Sequence, residues 1–125
     1  MAANKNSNEI KEILEDINNN LIDLTSVIDL YSINPQGAMR GTSKQIDIFF
    51  GLKTKRFPQD KAKSDRDNIK MFKKELNDIV YYIDFGNLRL SESKIELAQK
   101  TLSKISFFDT NQFNSSLEKI KSLLN

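Results

Sequence analysis

The first groups in this chain that could do chemistry are carboxylates spaced one helical turn apart. Glu12 and Glu15 form an ExxE spacing, and Glu75 and Asp78 form an ExxD. Carboxylates three residues apart share a helix face and can share a divalent cation. Such a site works only when the carboxylates turn into the bundle. At about 100° per residue, Glu12 and Glu15 fall opposite the Ile10–Ile13–Leu14–Ile17 stripe, and Asp78 falls away from the apolar line of its own helix. Solvated helix faces are the plainer reading of both pairs. Asp23, Asp29 and Asp47 are the acids closest to apolar positions, and each reads more simply as solvated or capping.

Other chemistry is limited by composition. The chain has 125 residues and neither Cys nor His. That removes disulfides, thiol nucleophiles, the usual ligands of zinc, haem and iron–sulfur clusters, the usual base of a nucleophilic triad and the usual pH sensor near neutrality. No GxxxxGK[ST] phosphate loop is present. The expectation is therefore a protein that is not an enzyme, with no cofactor and no metal.

Charge and aromatic residues point to binding instead. The formal net charge is +2, but it is unevenly spread: residues 1–30 hold two Lys against six acids, whereas residues 53–74 hold nine Lys or Arg against three Asp. Lys53, Lys55, Arg56, Lys61, Lys63, Arg66, Lys70, Lys73 and Lys74 can neutralise phosphates or steer an acidic protein. The alternative is a solvated basic segment facing the acidic first helix across the bundle. A helix-turn-helix reading built on Gly51 fails, because it puts Asp47 at a packing position and Pro58 inside the recognition helix. Tyr81 and Phe85 lie off the apolar line of their helix, close to Lys74 and Asp78, and make a second, mixed face. That face either packs a central helix on a second side or anchors a partner. Phe57, between Arg56 and Pro58, is either a contact anchor or a plug over the bundle end. Gly37 and Gly41 imply special backbone angles or close approach of another segment.

The elements that must position these residues are helices. Apolar residues recur at helical spacing along the chain, and four Gly and two Pro are too few for a turn-rich β fold. The expected organisation is a flexible tail over 1–6 and one domain over 7–125. A first helix runs from about Ser7 to Leu30, capped by Asn6 with Glu9, on the seam Ile17, Leu21, Leu24, Ile28 and Tyr31. Pro35 opens a single turn capped by Asn34. A short helix over Ser43 to Leu52 presents Ile46, Phe49 and Phe50, and residues 53–63 form a charged connection broken by Pro58. A third helix runs from Asp65 to Phe85, capped by Ser64 and stopped by Gly86, on the seam Ile69, Phe72, Leu76, Ile79 and Ile83. A fourth starts after Ser91, with Leu90 and Ile95 as a hydrophobic staple and the seam Ile95, Ala98, Leu102 and Ile105. A fifth starts after Asp109, with Phe108 and Phe113 as a staple and the seam Phe113, Leu117, Ile120 and Leu124. The fold class is all-α, a compact antiparallel bundle of four long helices and one short one.

The functional expectation is a protein-binding module that occupies a macromolecular partner, of the inhibitor, immunity, antitoxin or surface ligand-binding kind. Its site residues are Lys53, Lys55, Arg56, Phe57, Lys63, Arg66, Lys74, Tyr81 and Phe85. The expected partner is a protein, acidic where it meets the basic segment. The alternatives are sequence-independent nucleic-acid binding by residues 53–74 and a self-associating structural bundle suggested by the heptad seams. No run approaches 18 apolar residues. The start MAANKNSNE lacks the apolar stretch of a signal peptide. The chain thus reads as cytoplasmic or as the mature part of an exported protein. Abundant Lys, Asn and Ile fit an AT-rich genome, such as that of a bacterium or phage.

Overall fold

Each apolar line in the sequence needs a neighbour to cover it, and the fold follows from how those lines are paired. In the computed structural model, which describes residues 5–124, the chain forms five helices: α1 (Ser7–Ile33), α2 (Ser43–Thr54), α3 (Gln59–Asp84), α4 (Leu88–Leu102) and α5 (Asn111–Leu124). There is no strand among the described residues, and no helix there is long and apolar enough to cross a membrane. The expected tail lies mostly outside the described residues. α1 packs on α3, α3 on α4, α4 on α5 and α5 back on α1, while α2 packs on α1 alone. All four expected seams are buried.

Polar contacts show that neighbours in this ring run in opposite directions. Lys11 pairs with Asp84 at one end of the α1–α3 contact, and Ser32 Oγ accepts from Arg66 at the other. Asp78 meets Lys94, and Asp65 meets Ser106. Gln99 donates to Glu118, and Lys121 approaches Glu96. The division into four long helices and one short one is corrected: α1 and α3 have 27 and 26 residues, whereas α2, α4 and α5 have 12, 15 and 14.

Several boundaries differ from expectation. α3 starts at Gln59, not Asp65, and extended Pro58 takes the N-cap position with ψ 136°. Proline suits a helix start because the first-turn N–H groups have no intrahelical partner. Ser64 is therefore inside the helix, and most of the supposed basic connection is helical. α4 starts four residues early because Asn87 accepts from the Leu90 N–H directly after Gly86. Ser91 is consequently buried within the helix, and Leu90 is exposed rather than stapled. Asn6 sits at the α1 N-cap without a side-chain cap bond; its amide donates to the Leu123 carbonyl at 3.0 Å instead. Pro35 lies in a turn closed by Gly37 N–H to Asn34 O, at 3.0 Å, and opens no helix. The crowding at Gly37 and Gly41 comes from Asn34 and from Gln45, which forms a capping box with Thr42. On α2 the buried residues are Phe49 and Leu52, while Ile46 and Phe50 are exposed, because a helix with one neighbour buries only a narrow strip. The Phe108–Phe113 staple is present, with ring centroids 5.5 Å apart, and Phe113 continues to Phe72 at 6.4 Å.

Two acids are in the interior, Asp65 and, contrary to the solvated reading of its pair, Glu75. Asp65 is fully buried, and its Oδ2 accepts from the Ser106 N–H at 3.0 Å and faces the Ser106 hydroxyl at 3.3 Å. It caps the α4–α5 connection from a distance. Glu75 is 4 % exposed, with Oε1 unpaired. Burial pushes its carboxyl above the usual glutamate range, helped by Asp78 and opposed by the Thr101 hydroxyl, Lys94 and Lys104. Asp23 accepts from Gln45 at 2.9 Å and ties α2 to α1, whereas Asp47 is exposed. Asp29, expected to be solvated or capping, is half-buried with Oδ1 unpaired.

These acids make opposite contributions to stability. Asp65→Ala removes the acceptor of the Ser106 amide and leaves a gap in the core, and should lower unfolding free energy by about 1–3 kcal/mol, read as a fall in the urea midpoint at unchanged slope. Glu75 binds its proton more tightly in the folded state. Its stabilising contribution is complete below the ordinary glutamate pKa and is lost as pH rises through the folded value. Glu75→Gln should therefore raise the melting temperature at pH 7 by about 3–5 °C, the size of a 1 kcal/mol effect in a chain of this length. The difference should shrink when melting is measured below pH 4.

Candidate partner-binding site

The α2–α3 junction is built by a helix stop that normally uses glycine. At the end of α2, the Phe57 N–H donates to the Leu52 carbonyl and the Arg56 N–H to the Lys53 carbonyl, both at 3.0 Å. At the end of α3, the Asn87 and Gly86 N–H groups donate in the same pattern to Tyr82 and Ile83, both at 2.9 Å. This pairing requires a left-handed residue after the C-cap. Gly86 fills that place with φ 69°, and Arg56 fills it with φ 55°. A residue with a Cβ costs about 1–2 kcal/mol more there than glycine.

The link is then fastened to α1. The Tyr31 hydroxyl donates to the Phe57 carbonyl at 2.7 Å, with the Leu52 carbonyl at 3.3 Å. Burial pushes its pKa above the usual tyrosine value, which keeps it a neutral donor. The Tyr31 ring meets Phe49 at 5.5 Å and Phe57 at 6.4 Å. Gln59 donates to the Ser32 carbonyl at 2.9 Å and so caps the end of α1. Lys53 Nζ donates to the Gly37 carbonyl at 2.7 Å and stands 5.8 Å from the Phe49 ring centroid. With Pro35, Gln36, Arg56 and Phe57, these groups line a cleft of about 460 Å³ that has no acid in its walls.

A second feature runs along the outward side of α3. Lys63, Lys70, Lys74, Tyr81 and Phe85 follow one another at steps of seven and four, the period of one helix face, and all are exposed. Tyr81 and Phe85 are 57 % and 59 % exposed, with rings 4.7 Å apart. The mixed aromatic face is therefore open rather than packed. Among the described residues, none of these three lysines has an acid within ion-pair distance, and acidic α1 does not cover them. Glu9 instead approaches Lys119, and Asp23 approaches Lys44, each at 3.9 Å.

Seven of the nine expected site residues therefore fall into two groups. Lys53, Arg56 and Phe57 meet at the cleft. Lys63, Lys74, Tyr81 and Phe85 share the α3 face, which extends about 33 Å from Lys63 to Phe85 at 1.5 Å per residue. Lys55 is exposed at the α2 C-cap. Arg66 is half-buried, turned toward Ser32 Oγ and Asp67 at 3.3 Å each. Tyr31, Gln36 and Gln59 were missed as cleft residues because only tertiary packing brings them together. Lys70 belongs to the α3 face, and its spacing of seven from Lys63 was the available signal. The ExxE and ExxD pairs do not form one site: Glu12 and Glu15 are exposed, and Glu75 is enclosed. No group of three or more possible metal ligands occurs among the described residues.

Phe57 is half-buried against the core, as a plug would be. Phe57→Ala should lower unfolding free energy by about 1–3 kcal/mol, within the range for partly buried truncations. Tyr31→Phe, which removes only the hydroxyl, should lower it by about 1–2 kcal/mol. Urea unfolding of both variants checks this.

Compared with known proteins, the chain matches no family model, no curated protein and no solved structure.

Proposed function

We propose that this protein is a non-enzymatic binding module that occupies an acidic protein partner along the outward face of α3. The observation that carries the reading is the row of exposed, unpaired lysines, Lys63, Lys70 and Lys74, leading into the open Tyr81–Phe85 pair. Lysines without internal acids raise the local concentration of an acidic partner and speed encounter. Exposed Tyr and Phe provide large anchors that bury area at low entropic cost. The non-enzymatic part rests on where the acids lie. Asp65 and Glu75 are enclosed by helix packing, and the cleft contains cations, amides and rings without an acid to act as base. Inhibitors, immunity or antitoxin proteins and surface ligand-binding proteins all work by such occupation.

Capture from source lysate tests this reading when wild type is compared with Tyr81→Ala/Phe85→Ala and with Lys70→Glu/Lys74→Glu. The expected result is a protein retained by wild type after nuclease treatment. Its affinity should fall at least tenfold in the aromatic variant, as loss of anchor residues predicts. Capture abolished by nuclease, with affinity falling steeply with salt, would replace this reading with nucleic-acid binding. A mass that rises with concentration in light scattering, with no outside partner, would replace it with self-association.

A further inference from the structure

We infer that the cleft between the end of α1, the 34–37 turn and the α2–α3 link is a carboxylate pocket that takes an Asp or Glu side chain of the partner. This rests on the protein-binding reading above and specifies the chemistry of one contact. Three independent observations carry it. The cleft is lined by Lys53 and Arg56 and by no acid. The Arg56 side chain makes no hydrogen bond or ion pair among the described residues, so its five N–H donors face solvent at the rim. Lys53 spends one of its three donors on the Gly37 carbonyl and is held in place by that bond.

The position Arg56 occupies points the same way. The same helix stop ends α3 with Gly86, at no steric cost, yet here the left-handed place carries the one side chain whose planar fork matches a carboxylate. Glycine would build the same link without the strain. A strained residue whose side chain forms no internal hydrogen bond or ion pair fits a role toward a ligand. The Tyr31 and Phe57 rings supply an apolar wall for the methylene groups of Asp or Glu, and Gln36 adds a polar edge. The cleft volume suits a side chain rather than a domain surface, so the remaining contact area falls on α3.

The test follows amide resonances of the ¹⁵N-labelled full chain during titration with three probes. These are the blocked peptide acetyl-Gly-Glu-Glu-Gly-amide, its Gln counterpart and inorganic phosphate. The expected result is saturable shifts at Gln36, Lys53, Arg56 and Phe57 with the Glu peptide only, weakened at least tenfold in Arg56→Gly. That variant should also melt a few degrees above wild type, so lost binding cannot be ascribed to unfolding. Arg56→Lys should bind more weakly than wild type because it keeps the charge and loses the fork. Equal shifts with phosphate, unchanged binding in Arg56→Gly, or a lower melting temperature for that variant would overturn the proposal. Shifts confined to Lys70, Lys74 and Tyr81 would overturn the pocket while leaving partner docking on α3 intact. Cleft shifts together with a captured partner indifferent to the α3 variants would do the reverse.

Discussion

Because α3 is buried along one line from Ala62 to Ile83, between α1 on one side and α4 on the other, its remaining surface has little freedom. A helix of this length with a single buried line must turn the opposite side to water. Lys63, Lys70, Lys74 and Tyr81 therefore reach solvent together, although none of them touches the core. The same line carries Asp65, seven residues before Phe72 and four before Ile69. A polar residue at that position must find a partner, and it finds the backbone of Ser106. The α4–α5 connection is positioned from α3 in this way, and the aromatic run from Phe107 through Phe113 to Phe72 closes over it.

α2 has a different status. It stands outside the ring and packs on α1 alone, so its placement relative to α3 rests on the short link at Lys55–Pro58 and on the bonds that hold that link. The Tyr31 hydroxyl and the Gln59 amide supply those bonds from opposite directions, one from α1 to the link and one from α3 to the end of α1. Gln59 satisfies a carbonyl that the last turn of α1 would otherwise leave unpaired, and Tyr31 satisfies the Phe57 carbonyl between the two helices. The cleft is a consequence of this joinery. Its walls are residues whose backbone or side chain fastens the three helices, with Arg56 left over at the rim.

Stability and binding consequently draw on different residues. The apolar seams hold the ring, and the enclosed acids Asp65 and Glu75 adjust it. Arg56 and the α3 lysines contribute little to the fold, and in the case of Arg56 the backbone would relax if it were glycine. Phe57 belongs with the fold, despite its place beside Arg56 in the chain, since its ring is turned toward Tyr31.

Much of this was legible in the residues alone. Periodicity is local, so the four seams, the all-helical class and the stop at Gly86 could be read without coordinates. So could the alignment of Lys74, Tyr81 and Phe85 on one helix face, because 3.6 residues per turn fixes it. The start of α3 was also available, since Ala62 and Asp65 extend its seam back toward Pro58, but the charged residues between them masked it. What required the fold was every property that depends on distant segments. Ile46 and Phe50 are exposed because α2 has a single neighbour, and Glu75 is enclosed because α4 covers it. Tyr31, Gln36 and Gln59 meet Arg56 only once α1, α2 and α3 are joined. Helical spacing shows which side of an element is apolar; how much of that side is covered, and which polar groups are trapped beneath the cover, depends on the element that packs against it.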